Sequence, residues 1–103
     1  VMATALQMTG KTTFERFCEY HAQHPDVFWK FREYAYAMKR AGFSKYGSRA
    51  ILERVRWHFA IKQGPQDVFK LNDHFTPHYA RLLMQHEPNI FDGFFETRAI
   101  RSP

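Results

Sequence analysis

Residues 25–42 read PDVFWKFREYAYAMKRAG, and this stretch decides the fold class. Pro25 suits the first turn of a helix, where its missing N–H would have no partner in any case. Asp26 follows at the electropositive end of that helix. Phe28, Phe31, Ala35 and Met38 recur at i, i+3, i+7 and i+10, a spacing that puts them on one α-helical face. Gly42 is a natural C-terminal stop. Trp29 and Tyr36 fall off the stripe, so the helix is either buried on two sides or shows aromatics to a partner.

The same period continues in both directions. Upstream, Thr12 and Glu15 have capping-box spacing. Phe14, Phe17, Cys18 and His21 follow at helical intervals and predict a helix to about His24. Downstream, Phe43 to Gly47 reads as a loop and Ser48 as an N-cap. Ile51, Leu52, Val55 and Phe59 form the stripe of a third helix, widened by Trp57 and Ile61 and stopped by Gly64-Pro65. Thr76-Pro77 opens a fourth helix as a Thr cap followed by Pro at the first helical position. Tyr79, Leu82, Leu83 and His86 share one of its faces, and it ends before Pro88.

Two short stretches read as strands. Val68 to Leu71 alternates weakly, and Phe94 to Ile100 follows the turn signal Asp92-Gly93 and is able to pair with it. The expected fold is therefore mainly α: a compact bundle of four main helices with a minor two-stranded β element, loosely winged-helix-like. Its expected core is Phe14, Phe17, Phe28, Phe31, Met38, Ile51, Leu52, Val55, Phe59, Tyr79, Leu82 and Leu83. Residues 1–11 read as a flexible N-terminal arm and residues 12–103 as a single helical domain.

The bulk numbers agree with this organisation. A chain of 103 residues suits one domain. Aromatic residues make up 17%, including eleven Phe; each buried ring removes roughly 150–250 Å² from water, which lets a short chain build a core. Cys18 is the one cysteine, so an internal disulfide is excluded and with it a disulfide-dependent secreted scaffold. On its apolar stripe Cys18 reads as a core thiol. No run approaches the ~20 apolar residues of a membrane span, and the first residues lack the features of a secretory signal. The expectation is a cytoplasmic protein with no membrane partner.

Charge is more informative. The net charge is +5, and Lys30 to Lys62 holds nine basic residues against the acids Glu33 and Glu53. Such a directed patch attracts polyanions or an acidic protein surface. Lys39, Arg40, Lys45, Arg49, Arg54 and Arg56, interleaved with Tyr46 and Trp57, are candidates for phosphate contact. Ser48 and the start of the third helix add N–H donors. His78, Arg81 and Gln85 fall at i, i+3 and i+7, opposite Tyr79 and Leu83. A fourth helix used as a recognition helix would read base edges with them. Against a plain helix-turn-helix, about a dozen residues join the third and fourth helices where three or four is usual. Trp29, Tyr36, Tyr46 and Trp57 are candidates for partner binding, and a homodimer would absorb such an aromatic surplus.

Other chemistries lack their components. Cys18, His21 and His24 are spaced as ligands, as are His74 and His78, but structural zinc wants two closely spaced pairs in a four-ligand set. Gly10-Lys11-Thr12 ends like a phosphate-binding loop, yet position 5 is Ala and no strand precedes it. The expectation is no metal, no cofactor and no catalysis.

The strings Arg54-Val55-Arg56-Trp57, Phe69-Lys70-Leu71-Asn72, His78-Tyr79-Ala80-Arg81, Pro88 and Phe94-Phe95-Glu96-Thr97-Arg98 carry a resemblance. Over most of its length the chain resembles a family of small phage- and prophage-encoded proteins to which no activity is assigned. The turn Asn72-Asp73-His74 departs from that family's Asn-rich pattern. The resemblance implies a phage or prophage origin and action in a host bacterial cell. It directs attention to DNA-linked regulation through nucleic-acid binding and, as the alternative, to inhibition of an acidic host protein such as a defence factor.

Overall fold

The computed structural model describes residues 11–66 and 69–95. Among them are five α-helices and one 3-10 turn: α1 Thr13–Gln23, α2 Pro25–Arg40, α3 Ser48–Gln63, the 3-10 turn Asp73–Phe75, α4 Thr76–His86 and the short α5 Pro88–Phe91. The four main helices are those the sequence predicts. The arm, residues 1–11, lies outside the described residues except for Lys11.

Local chemistry sets most boundaries. The capping box at α1 is complete: the Glu15 amide donates to Thr12 Oγ1 at 3.1 Å and the Thr12 amide to Glu15 Oε1 at 2.9 Å. α2 ends in a Schellman turn. The Phe43 amide donates to the Met38 carbonyl and the Gly42 amide to the Lys39 carbonyl, with Gly42 at φ 105°. Only glycine holds that backbone without strain. Two expected caps are displaced. Ser48 is the first helical residue of α3 and Gly47 is its N-cap, with no side-chain hydrogen bond. Thr76 lies inside α4, donating to the Asp73 carbonyl at 2.7 Å. The chain begins to coil earlier there, where the Asn72 side chain accepts from the His74 amide at 2.8 Å.

α2 and α3 form an antiparallel hairpin, the broadest packing in the fold, and α4 lies across both. Tyr79, fully buried, joins three helices. Its ring stacks on Phe31 at 5.7 Å and meets Phe17 edge-on at 4.7 Å. Ile51, Leu52, Val55 and Phe59 face inward as expected. Each such side chain contributes roughly 1.5–3 kcal/mol of burial free energy.

The core differs from the expected one at its margins. Phe14 is 57% exposed, with its ring at the margin of the bundle against His78 rather than in the core. Met38 and Leu82 are partly buried. Val27, Ala35, Leu71, Phe75, Ala80, Phe91, Phe94 and Phe95 join the core instead. The last three close the end of the bundle, with Phe95 5.6 Å from Phe31 and Phe91 5.0 Å from Tyr36. Phe94 and Phe95 do so from a turn and a bend, and Phe69 to Leu71 has no ladder partner, so the described part of the expected β element is not strand. Val68 and residues 96–100 of that element lie outside the described residues. No described helix is long and apolar enough to cross a membrane.

Candidate nucleic-acid interface

The basic run divides into two populations. Three of its members are neutralised within the fold. Arg32 is ion-paired to Glu87, and the Tyr36 hydroxyl donates to the same carboxylate at 2.6 Å. Hydrogen bonds from Arg32 and then Tyr36 hold the Glu87 carboxyl below its ordinary range. Arg56 ties α3 to the turn before α4. It donates to the Leu71 carbonyl at 2.7 Å, to Asp73, and to Glu53 at 2.7 Å. The Asp73 carboxyl is held low by that Arg56 hydrogen bond. Lys30 pairs with Glu33 at 2.9 Å, one turn along α2.

The second population gathers at the tip of the α2–α3 hairpin. Lys39 and Arg40 end α2, Lys45 lies in the loop, and Arg49 is in the first turn of α3. No Asp or Glu occurs from residue 34 to residue 52. Among the described residues Lys39, Arg40 and Lys45 make no ion pair, and Arg49 makes one loose contact, 3.8 Å to Asp73. Two of the charged heads lie near rings: the Lys39 ammonium over Phe94 at 5.6 Å and the Arg40 guanidinium over Tyr36 at 5.9 Å. The chain's own aromatics thus hold these two cations by cation–π contact, with no acid paired to them among the described residues.

The start of α3 lies within this tip. Gly47 caps it without a side-chain acceptor, and no acid sits in the first turn. The first amides of a helix have no internal partner and carry partial positive charge. The start of α3 borders a concavity of about 690 Å³ lined by Lys45, Tyr46, Gly47, Ser48, Arg49 and Phe94. The Tyr46 amide donates to the Phe94 carbonyl at 3.2 Å, which ties the loop to the C-terminal end of the fold. Phe43, 47% exposed, meets Tyr46 edge-on at 5.4 Å.

The remaining sequence candidates lie elsewhere. Arg54 is on the opposite side of α3 from Arg56. It covers Trp57 at 4.3 Å and reaches Tyr34 at 5.6 Å, making an outward face with the exposed Ile61. Trp29 and Tyr36 lie on the other flank of α2, where Trp29 meets His86 edge-on at 5.6 Å. His78, Arg81 and Gln85 share one side of α4, but α1 lies against its start: His78 is 5.5 Å from Phe14 and 5.4 Å from Phe17. His78, Arg81 and Gln85 line a groove between α1 and α4, with Gln85 exposed. Cys18, expected in the core, is exposed. Among the described residues no three of His, Cys, Asp and Glu come together as metal ligands.

Sequence reasoning passed over Asp73 and Glu87, the acids that decide which arginines stay free. Their partners are 17 and 55 residues away, and no local signal marks them. Gly47 was legible in principle, since a glycine before a helix with no acid in its first turn leaves the helix start open. No known protein family, curated protein or solved structure matches the chain.

Proposed function

We propose that this chain is a non-catalytic nucleic-acid-binding protein that holds the phosphate backbone at the α2–α3 tip. One observation carries the reading: an acid-free run with four cations, Lys39, Arg40, Lys45 and Arg49, surrounds a helix start without a side-chain cap. Phosphates bind where lysines, arginines and helix-start amides converge, and release of counterions supplies most of the affinity. The contacts are to backbone, so they position the protein and carry little base preference. An accessory role in a host bacterial cell, the expectation raised from the sequence, is part of this proposal.

The test is fluorescence anisotropy of a labelled random duplex and a labelled single strand at low salt. Saturable binding is expected, weakened at least about tenfold in a Lys39→Ala/Lys45→Ala/Arg49→Ala variant that melts like the parent. No binding at low salt ends the reading.

A second reading rests on a different surface. Trp57 and Ile61 are 53% and 61% exposed beside Arg54, Lys30 and Tyr34. An exposed tryptophan with Arg54 over its ring fits an acidic protein partner, a host factor that the chain would inhibit. A host protein retained from bacterial lysate by the parent and released by Trp57→Ser supports it. Equal retention by both removes this face from consideration.

A further inference from the structure

The groove between α1 and α4 is separate from the tip and carries its own signal. Phe14, Phe17 and Leu82 give it apolar walls, and His21, His78 and Arg81 give it polar ones, around a cavity of about 310 Å³. That volume lies at the lower end of the range for small-molecule pockets. Phe17 is the floor on which both imidazoles lie: His21 stacks on it at 5.9 Å and His78 at 5.4 Å.

Two polar atoms of groove-lining residues, His21 Nδ1 and Arg81 Nε, are buried and have no hydrogen-bond partner among the described residues. Buried polar groups are nearly always hydrogen-bonded, and leaving one unpaired is costly. The guanidinium can only donate, so it asks for an acceptor. Arg81 also makes no ion pair among the described residues, unlike Arg32 and Arg56. Burial lowers the pKa of His21, and burial with the neighbouring Arg81 charge lowers that of His78. At neutral pH the groove therefore holds one fixed positive charge. At its rim Phe14 is exposed.

From this we infer that the α1–α4 groove is a binding site for a small organic monocarboxylate. The carboxylate accepts from Arg81 and His21, and its apolar body lies against Phe14, Phe17 and Leu82. A single fixed cation matches a monoanion better than a phosphate dianion, and the planar guanidinium matches a carboxylate edge. The apolar walls select against small hydrophilic acids. This site is independent of the phosphate contacts proposed for the tip.

The experiment is a two-dimensional NMR titration of the full chain with sodium benzoate, benzyl alcohol and inorganic phosphate in parallel. Benzoate is expected to shift the Phe14, Phe17, His21, His78 and Arg81 signals saturably, with Kd on the order of millimolar for so few atoms. Benzyl alcohol is expected to bind at least tenfold more weakly, and phosphate to leave these signals unmoved. Arg81→Met keeps the volume and removes the charge, and is expected to erase the preference for benzoate over the alcohol. His21→Phe, which preserves the stacking on Phe17, is expected to weaken benzoate several-fold and serves if Arg81→Met does not fold. Equal affinity for acid and alcohol, an unchanged preference in a folded variant, or no benzoate shifts in the groove would each overturn the assignment.

Discussion

Arg49 and Arg56 lie two helical turns apart on α3 and look alike in the sequence, yet the fold uses them differently. Arg56 is 26% exposed and holds Glu53, Asp73 and the Leu71 carbonyl together. Arg49 is 72% exposed, with a single loose approach to Asp73. The same contrast separates Arg32, clamped by Glu87 and Tyr36, from Arg40, whose guanidinium rests over a ring without an acid. A basic run is thus two things at once. One part fastens helices to each other, and the other part, at the hairpin tip, is left for a partner. Counting charges along the chain overstates the second by the size of the first.

The contrast can be broken from either side. The largest effect is expected at the tip. Lys39→Ala/Lys45→Ala/Arg49→Ala should lower nucleic-acid affinity roughly tenfold to hundredfold at low salt, since each lost phosphate contact removes its released counterions. Its melting temperature should stay within a degree or two of the parent's, about the effect of an exposed-surface change. Next comes the reverse case. Arg32→Met leaves the Glu87 carboxylate with Tyr36 alone and should cost about 1–2 kcal/mol in urea unfolding, while affinity at the tip is unchanged. A variant that loses affinity and stability together would erase the distinction.

Acid should loosen the fastened population. The folded carboxyls of Glu87 and Asp73 titrate below their ordinary values, 4.5 and 3.8, so the stability they confer is complete above those values. It is lost as pH falls through the lower folded values. Urea midpoints measured from pH 7 to pH 3 should fall at the acid end. Glu87→Gln should start lower at pH 7 and fall less steeply.

The smallest effect has opposite signs in its two readouts. Gly47 sits at φ −74°, and a Cβ added there meets nothing within 4 Å. Gly47→Asp gives α3 the side-chain cap it lacks, worth about 0.5 kcal/mol of stability. The same carboxylate occupies the helix start and should weaken nucleic-acid binding several-fold. A melt and an anisotropy titration of this variant sharpen the contrast in one preparation.

Much of the helical frame could be read from the chain. Thr12 with Glu15, Pro25 and Gly42 are local signals, and each acts through a neighbour within five residues. The stripe Ile51, Leu52, Val55 and Phe59 was legible for the same reason. The closure of the bundle by Phe91, Phe94 and Phe95 was not, because a turn and a bend present those rings and no period marks them. The local pattern of Phe94 onwards suggested a strand instead. Phe14 has helical spacing, but spacing alone does not say where the stripe ends. At the site, the tip cations were legible as a patch. The diversion of Arg32 and Arg56 was not, since the acids that claim them come from distant turns. The groove holding His78, Arg81 and Gln85 was equally hidden, because α1 reaches it across the whole fold.

The most direct test of the central claim is the slope of log Kd against log salt for a labelled DNA duplex. Parent protein, Lys45→Ala/Arg49→Ala and Arg32→Met are measured side by side. Each phosphate contact contributes about 0.9 to the slope. The tip variant is therefore expected to be shallower by about 1.8, with Arg32→Met indistinguishable from the parent. Equal slopes for all three, or no binding by the parent at low salt, would contradict the claim that the hairpin tip is a phosphate-binding surface.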